Sequence, residues 1–168
     1  MRYTLLLLII FSACTANAQK FEKNETDKFT NAKRLTTSNV RLKTGMLAFL
    51  TTYTEDEFTF YYITLFGSVP EARVIGTDER VIFLLDNDST VTGYSTGIQS
   101  YDIGMGTHGK MYRHQYKLQE SDIKLLAEHD IKSIRKYGGD IYADVDIPEK
   151  NQGDIKKLAK MVLQELSK

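Results

Sequence analysis

Residues 58–66, Phe-Thr-Phe-Tyr-Tyr-Ile-Thr-Leu-Phe, constrain the fold more than any other stretch. Phe58, Phe60, Tyr62, Thr64 and Phe66 alternate with Thr59, Tyr61, Ile63 and Leu65. At the two-residue period of a strand, apolar groups fall on both faces, which places the segment near the middle of a core. Residues 46–54 (MLAFLTTYT) supply a hairpin partner, with Glu55 and Asp56 at the turn. Val81–Leu85 reads as a short buried strand that stops at the turn cluster Asp86-Asn87-Asp88-Ser89. Thr90–Tyr94 returns from that turn, and Met111–Leu118 adds another strand.

The last third mixes strand and helix. Ser121 is placed to cap a short helix carrying Ile123, Leu126 and Ala127 on one side. Residues 131–137 and 140–147 read as two strands joined at Gly138-Gly139, a two-residue hairpin turn. Ile141, Ala143, Val145 and Ile147 then share one face, and Tyr142, Asp144 and Asp146 the other. From about Gln152 to Leu166, the residues Ile155, Leu158, Ala159, Val162, Leu163 and Leu166 make one helical stripe. Strands precede helices, so the fold class is α+β. The expected form is a mainly antiparallel sheet, sandwich or roll of about 6–8 strands, with a short helix near 121–129 and a C-terminal amphipathic helix.

The amino terminus has the form of an export signal. Arg2 supplies the positive charge, Leu5–Phe11 the apolar run, and Ala16-Asn17-Ala18 the cleavage site. The run is too short for a permanent membrane helix, and no later segment is longer. Taking these 18 residues from 168 leaves 150, the size of one domain. The expected organisation is a signal peptide over 1–18, a flexible segment over 19–28 and a single β-rich domain over 29–168, in the periplasm or outside the cell. The alternative address is a lipoprotein, because Phe11-Ser12-Ala13-Cys14 resembles a lipobox. A lipid anchor is available only if Cys14, the sole cysteine, is acylated; the mature chain otherwise has no thiol chemistry. Without Arg2 the chain holds 21 basic residues against 22 acidic ones, with no basic stripe of the kind that binds nucleic acid.

Three catalytic or phosphate-binding patterns occur and each fails on context. Gly104-Met105-Gly106-Thr107-His108-Gly109-Lys110 fits both G-x-G-x-x-G and G-x-x-x-x-G-K. Both need a helix that starts at the loop and aims its free amides at phosphate. Residues 110–118 show no helical stripe, and Met111 stands where a magnesium-binding hydroxyl belongs. Gly93-Tyr94-Ser95-Thr96-Gly97 fits the G-x-S-x-G of serine hydrolases, and Asp102 or Asp122 with His108, His114 or His129 would complete the chain order. Residues 98–103 lack helical periodicity, however, so paired glycines around Ser95 fit a bulge or bend better.

Metal chemistry is no better supported. His108 and His114 have no recognised zinc spacing. Asp86-Asn87-Asp88 begins like a calcium loop but has Val91 where glycine is required, and Asp140, Asp144 and Asp146 read as a solvated strand face. Ten tyrosines and eight phenylalanines raise a sugar-binding reading, but their strand spacing assigns most of them to the core, and there is no tryptophan.

The signal ending Ala16-Asn17-Ala18-Gln19, the run VIFLLDNDSTVTGYST and the helix from Ser121 into IKSIRKYGGDIYADVDI resemble small uncharacterised exported proteins of Bacteroidota type. That group has no known activity, so the resemblance implies an address and a shared fold but no site residues. The functional expectation is an exported non-catalytic domain that binds a protein partner or small ligand through its sheet or loops. No catalytic residue, cofactor or metal is assigned, and neither nucleic acid nor a membrane span is expected. The alternative is a small hydrolase using Ser95 or a histidine of the 104–114 loop. A weaker alternative is a pleckstrin-homology-like binding module, which also closes a sheet with a C-terminal helix.

Overall fold

The computed structural model describes residues 20–69, 79–102, 110–138 and 141–168. The segment expected to be an export signal, with Cys14, the glycine loop with His108, and Asp140 lie outside the described residues. Ten strands build one antiparallel sheet: β1 (Phe21–Thr26), β2 (Lys33–Thr37), β3 (Val40–Lys43), β4 (Met46–Glu55), β5 (Phe58–Val69), β6 (Arg80–Leu85), β7 (Thr90–Asp102), β8 (Lys110–Leu118), β9 (Ile131–Gly138) and β10 (Ile141–Asp146). Their order is β1-β2-β4-β5-β8-β7-β6-β9-β10, with β3 paired to the first residues of β4 and β2 to its last. Three helices complete the chain: α1 (Glu120–Glu128), α2 (Glu149–Gln152) and α3 (Asp154–Leu166).

The two-faced apolar pattern of residues 58–66 puts β5 where it predicts, inside the sheet between β4 and β8. The β4–β5 hairpin runs in register from Met46↔Gly67 to Glu55↔Phe58, and Asp56 takes the left-handed turn conformation at φ 52° that aspartate tolerates. One face of the sheet is roofed by helices. There Leu50, Ile63, Leu65, Phe83, Tyr116 and Ile134 are fully buried, in one cluster with Ile123 and Leu126 of α1 and Leu158 and Val162 of α3. Each such buried side chain stabilises the fold by roughly 1.5–3 kcal/mol of apolar transfer. Helix α3 lies on β2, β3 and β4, while α1 lies on β5 and β7 and packs against α3. The opposite face has Tyr53 and Tyr94 open to solvent.

Several expectations change. The sheet has ten strands rather than about 6–8, because β1, β2 and β3 are short or polar and carry little apolar period. Within the segment expected to be flexible, Phe21–Thr26 form β1 on the edge of β2, held by backbone pairing with their side chains mostly in water. Helix α1 starts one residue before Ser121: Gln119 is its N-cap, and Asp122 accepts the Gln119 amide at 2.8 Å. The C-terminal helix runs unbroken from Asp154 to Leu166 as α3, and the short α2 is an added turn before it, set off by Gly153. On β10 only Val145 and, just beyond it, Ile147 are buried; Ile141 and Ala143 face water because β10 is the edge strand and its first half runs past the core. Among the described residues, no helix is long and apolar enough to cross a membrane.

Candidate functional site

Two places carry candidate chemistry, one on each face of the sheet. On the helix-covered face, β7 and β8 bring Ser95 and His114 together, with Ser95 Oγ 2.8 Å from His114 Nε2. The contact follows from a bulge. Pairing runs Tyr94↔Lys117 and Ser95↔Tyr116, then skips to Gln99↔His114, and Gly97 absorbs the irregularity at φ 71°. Gly97 donates its amide to Ser95 Oγ at 3.1 Å, so the hydroxyl joins the bulge backbone to the imidazole.

A serine hydroxyl within hydrogen-bond reach of an imidazole nitrogen is how a serine nucleophile meets its base. The described side chains around this pair are largely core. Ser95 is 8% and His114 0% exposed, and the His114 ring packs on Tyr116 at a centroid distance of 4.0 Å. Asp122 caps α1, His108 is outside the described residues, and Asp102 ends β7 in extended backbone rather than after a helix. Gly93 has a packing reason: a Cβ there would sit 2.9 Å from Tyr116 Cβ and 3.0 Å from Val81 Cγ1. Both glycines of the G-x-S-x-G match are therefore explained without an elbow. The phosphate-loop match meets a similar end, because Lys110 opens strand β8 and no helix starts there.

His129 lies elsewhere. It joins the β6–β7 turn to the end of α1, with Nδ1 on Asp86 at 2.8 Å and Nε2 on the Asn87 amide at 3.1 Å. Asp88 is paired with Lys132 at 2.7 Å. Asp144 takes a two-pronged bond from Arg135, at 2.6 and 2.7 Å. Asp86, Asp88 and Asp144, three of the aspartates that suggested calcium, are thus engaged by protein cations and donors. Burial works against the charge on Asp86, but hydrogen bonds from the Asp130 backbone and His129, with the nearby Lys156 charge, hold its carboxyl below the usual range. For Asp144 the Arg135 hydrogen bonds are the largest influence and lower it likewise.

The second place is a cleft of about 330 Å³ on the open face, lined by Arg34, Thr51, Tyr53, Phe60, Tyr62 and Gln115. Cross-strand registry builds it. Arg34 pairs with Tyr53 and Tyr53 with Phe60, making one row; Thr36 pairs with Thr51 and Thr51 with Tyr62, making the next. The threonines form a closely packed floor, with Thr51 only 6% exposed and its Oγ1 3.5 Å from that of Thr36. Arg34 has no ion pair among the described residues, so a guanidinium stands open beside aromatic walls. Sequence reading missed this cleft by assigning the rings to the core. The missed signal was the alternation itself: a strand apolar on both faces, in a chain with two amphipathic helices, has more apolar face than the helices can cover. Comparison with family models, curated proteins and solved structures finds no match to this chain.

Proposed function

We propose that the chain is a non-catalytic binding domain, exported as its amino terminus implies, that takes its ligand on the open face of its sheet. The observation that carries this reading is the cleft between Arg34, Tyr53, Phe60 and Tyr62, which combines ring faces, an unpaired guanidinium and the Gln115 amide on a rigid strand floor. Such a site orients a small ligand through a few polar groups while apolar walls supply affinity. The test is amide and side-chain shift mapping with a panel of small glycans, carboxylates and short peptides. Ligand-dependent shifts should gather on β2, β4 and β5, disappear in Arg34→Ala and Phe60→Ala, and persist in Ser95→Ala.

The hydrolase reading has one observation in its favour, the 2.8 Å contact of Ser95 with His114. A fluorophosphonate probe separates the two. Stoichiometric labelling of Ser95 that vanishes in His114→Ala would replace the binding reading with the enzymatic one; an unlabelled protein with open-face shifts supports binding. The pleckstrin-homology-like alternative shares only the C-terminal helix against a sheet. The strand path here runs between two ends, β1 and β10, and is roofed by a second helix as well.

A further inference from the structure

The open face carries more than the cleft. Following registry outward from Tyr62, the next strand presents Lys117, the next Tyr94, and the next Arg80. The Arg80 guanidinium lies 4.7 Å from the Tyr137 ring centre, and Tyr137 stands opposite Tyr142 with ring centres 6.0 Å apart. Ring, cation, ring, cation, ring, ring thus cross β5, β8, β7, β6, β9 and β10 in one transverse row. At ~4.8 Å per strand the row spans roughly 24 Å, and the first three rings recur every ~10 Å with a cation between them.

Between β2 and β6 the described charge on this face is mostly positive. The outward side chains there include Arg34, Arg80, Arg113 and Lys117, none with an ion pair among the described residues, against Glu55 at the hairpin tip; backbone register adds Asp102 to this face, and Asp144 lies beyond on β10, paired with Arg135. The chain as a whole has 22 basic and 22 acidic residues, so the excess is a property of the face. Three of these cations lie over rings: Arg113 over Phe66 at 5.2 Å, Lys117 over Phe60 at 5.2 Å, and Arg80 over Tyr137. Cations held in this way are kept flat on the sheet, without a carboxylate to neutralise them.

We infer that this row binds a linear acidic polysaccharide laid across the strands, with sugar faces on Tyr62, Tyr94 and Tyr137 and its carboxylate or sulfate groups at Lys117 and Arg80. The inference rests on the open-face reading and gives it a ligand class. Alternation at two strand spacings suits a stiff sugar chain that stacks every second ring on a tyrosine and offers the carboxylates of the rings between to Lys117 and Arg80, as a polyuronate can. Single-stranded nucleic acid also uses rings and cations, but the chain as a whole lacks the basic excess that such binders carry.

The experiment is titration of the full mature chain with polyuronate oligosaccharides, neutral dextran oligomers of equal length and oligo-dT, followed by shift mapping and calorimetry. Polyuronate should bind and weaken as salt rises past ~0.1 M, where the Debye length is ~10 Å. Lys117→Ala and Tyr94→Ala should each lower affinity on the order of tenfold, equivalent to one stacked ring or one paired charge. Lys124→Ala, which removes the same charge from α1, should leave it unchanged. Polyuronate binding indifferent to Lys117 and Tyr94, or preference for oligo-dT, overturns the assignment. Dextran bound on this face as tightly as polyuronate overturns the acidic class but leaves the open-face reading standing. Silence from all three probes, with shifts on the open face from other small ligands, rejects the polysaccharide alone; no open-face shifts from any ligand reject both.

Discussion

At the scale of single residues, the G-x-S-x-G match shows how a motif can be real in letters and empty in chemistry. Gly93 is required because its Cα faces the packed side chains of Tyr116, Val81 and Leu118. Gly97 is required by a left-handed bulge position. Ser95 is required because His114 occupies an otherwise apolar row with Tyr116 and Leu118 and needs a hydroxyl inside the core. Gly93→Ala should therefore destabilise by about 1–3 kcal/mol through overpacking, read as a lower midpoint in urea. Ser95→Ala should cost about 1–3 kcal/mol, since Nε2 loses its hydroxyl in a site without water access. If the pair is structural, Ser95→Ala with His114→Leu should cost less than the sum of the two single changes. The sequence carried both Ser95 and His114 as candidates, and their meeting at 2.8 Å depends on a skipped register that no local pattern announces.

Among the elements, the hairpin of β4 and β5 was readable because period, length and turn residues agree, and α3 because its stripe is uninterrupted. β1 was not, since its order comes from hydrogen bonds offered by β2 rather than from its own side chains. β10 was misread in part because alternation shows which residues share a face but not whether anything covers it. The turn after β6 was placed correctly from its residues, while its tie to α1 through Asp86 and His129 is a contact across 43 positions. That tie has a pH signature. Because the Asp86 carboxyl is held below its ordinary value in the fold, its contribution is fully present above the unfolded value, ~3.9. It is lost as pH falls through the lower folded value. Asp86→Asn should therefore flatten the acid side of the stability profile below about pH 4 while leaving the neutral slope as it is, measured by urea unfolding from pH 2 to 7. An unchanged acid limb would mean that Asp86 is not ionised preferentially in the fold.

For the whole molecule, one sheet with helices on a single side divides the work between its faces. The covered face supplies stability: Leu158 and Val162 of α3 meet Leu42, Leu50 and their neighbours with almost no exposure. The open face adds little burial and holds cations and rings in registry, so its side chains are available to a ligand without cost to the core. This separation has a measurable form. Leu158→Ala should lower stability by about 2–5 kcal/mol, because it leaves a cavity under a helix that roofs β2, β3 and β4. At a temperature where that variant is still folded, its affinity for an open-face ligand should stay within about twofold of the parent, since ligand rows are fixed by backbone pairing rather than by the roof. Lys117→Ala should do the reverse, changing stability by less than about 0.5 kcal/mol as an exposed substitution while weakening the ligand. If instead Leu158→Ala weakened binding in proportion to its loss of stability, the two faces would be one coupled unit, and the ligand would have to be sought where both meet.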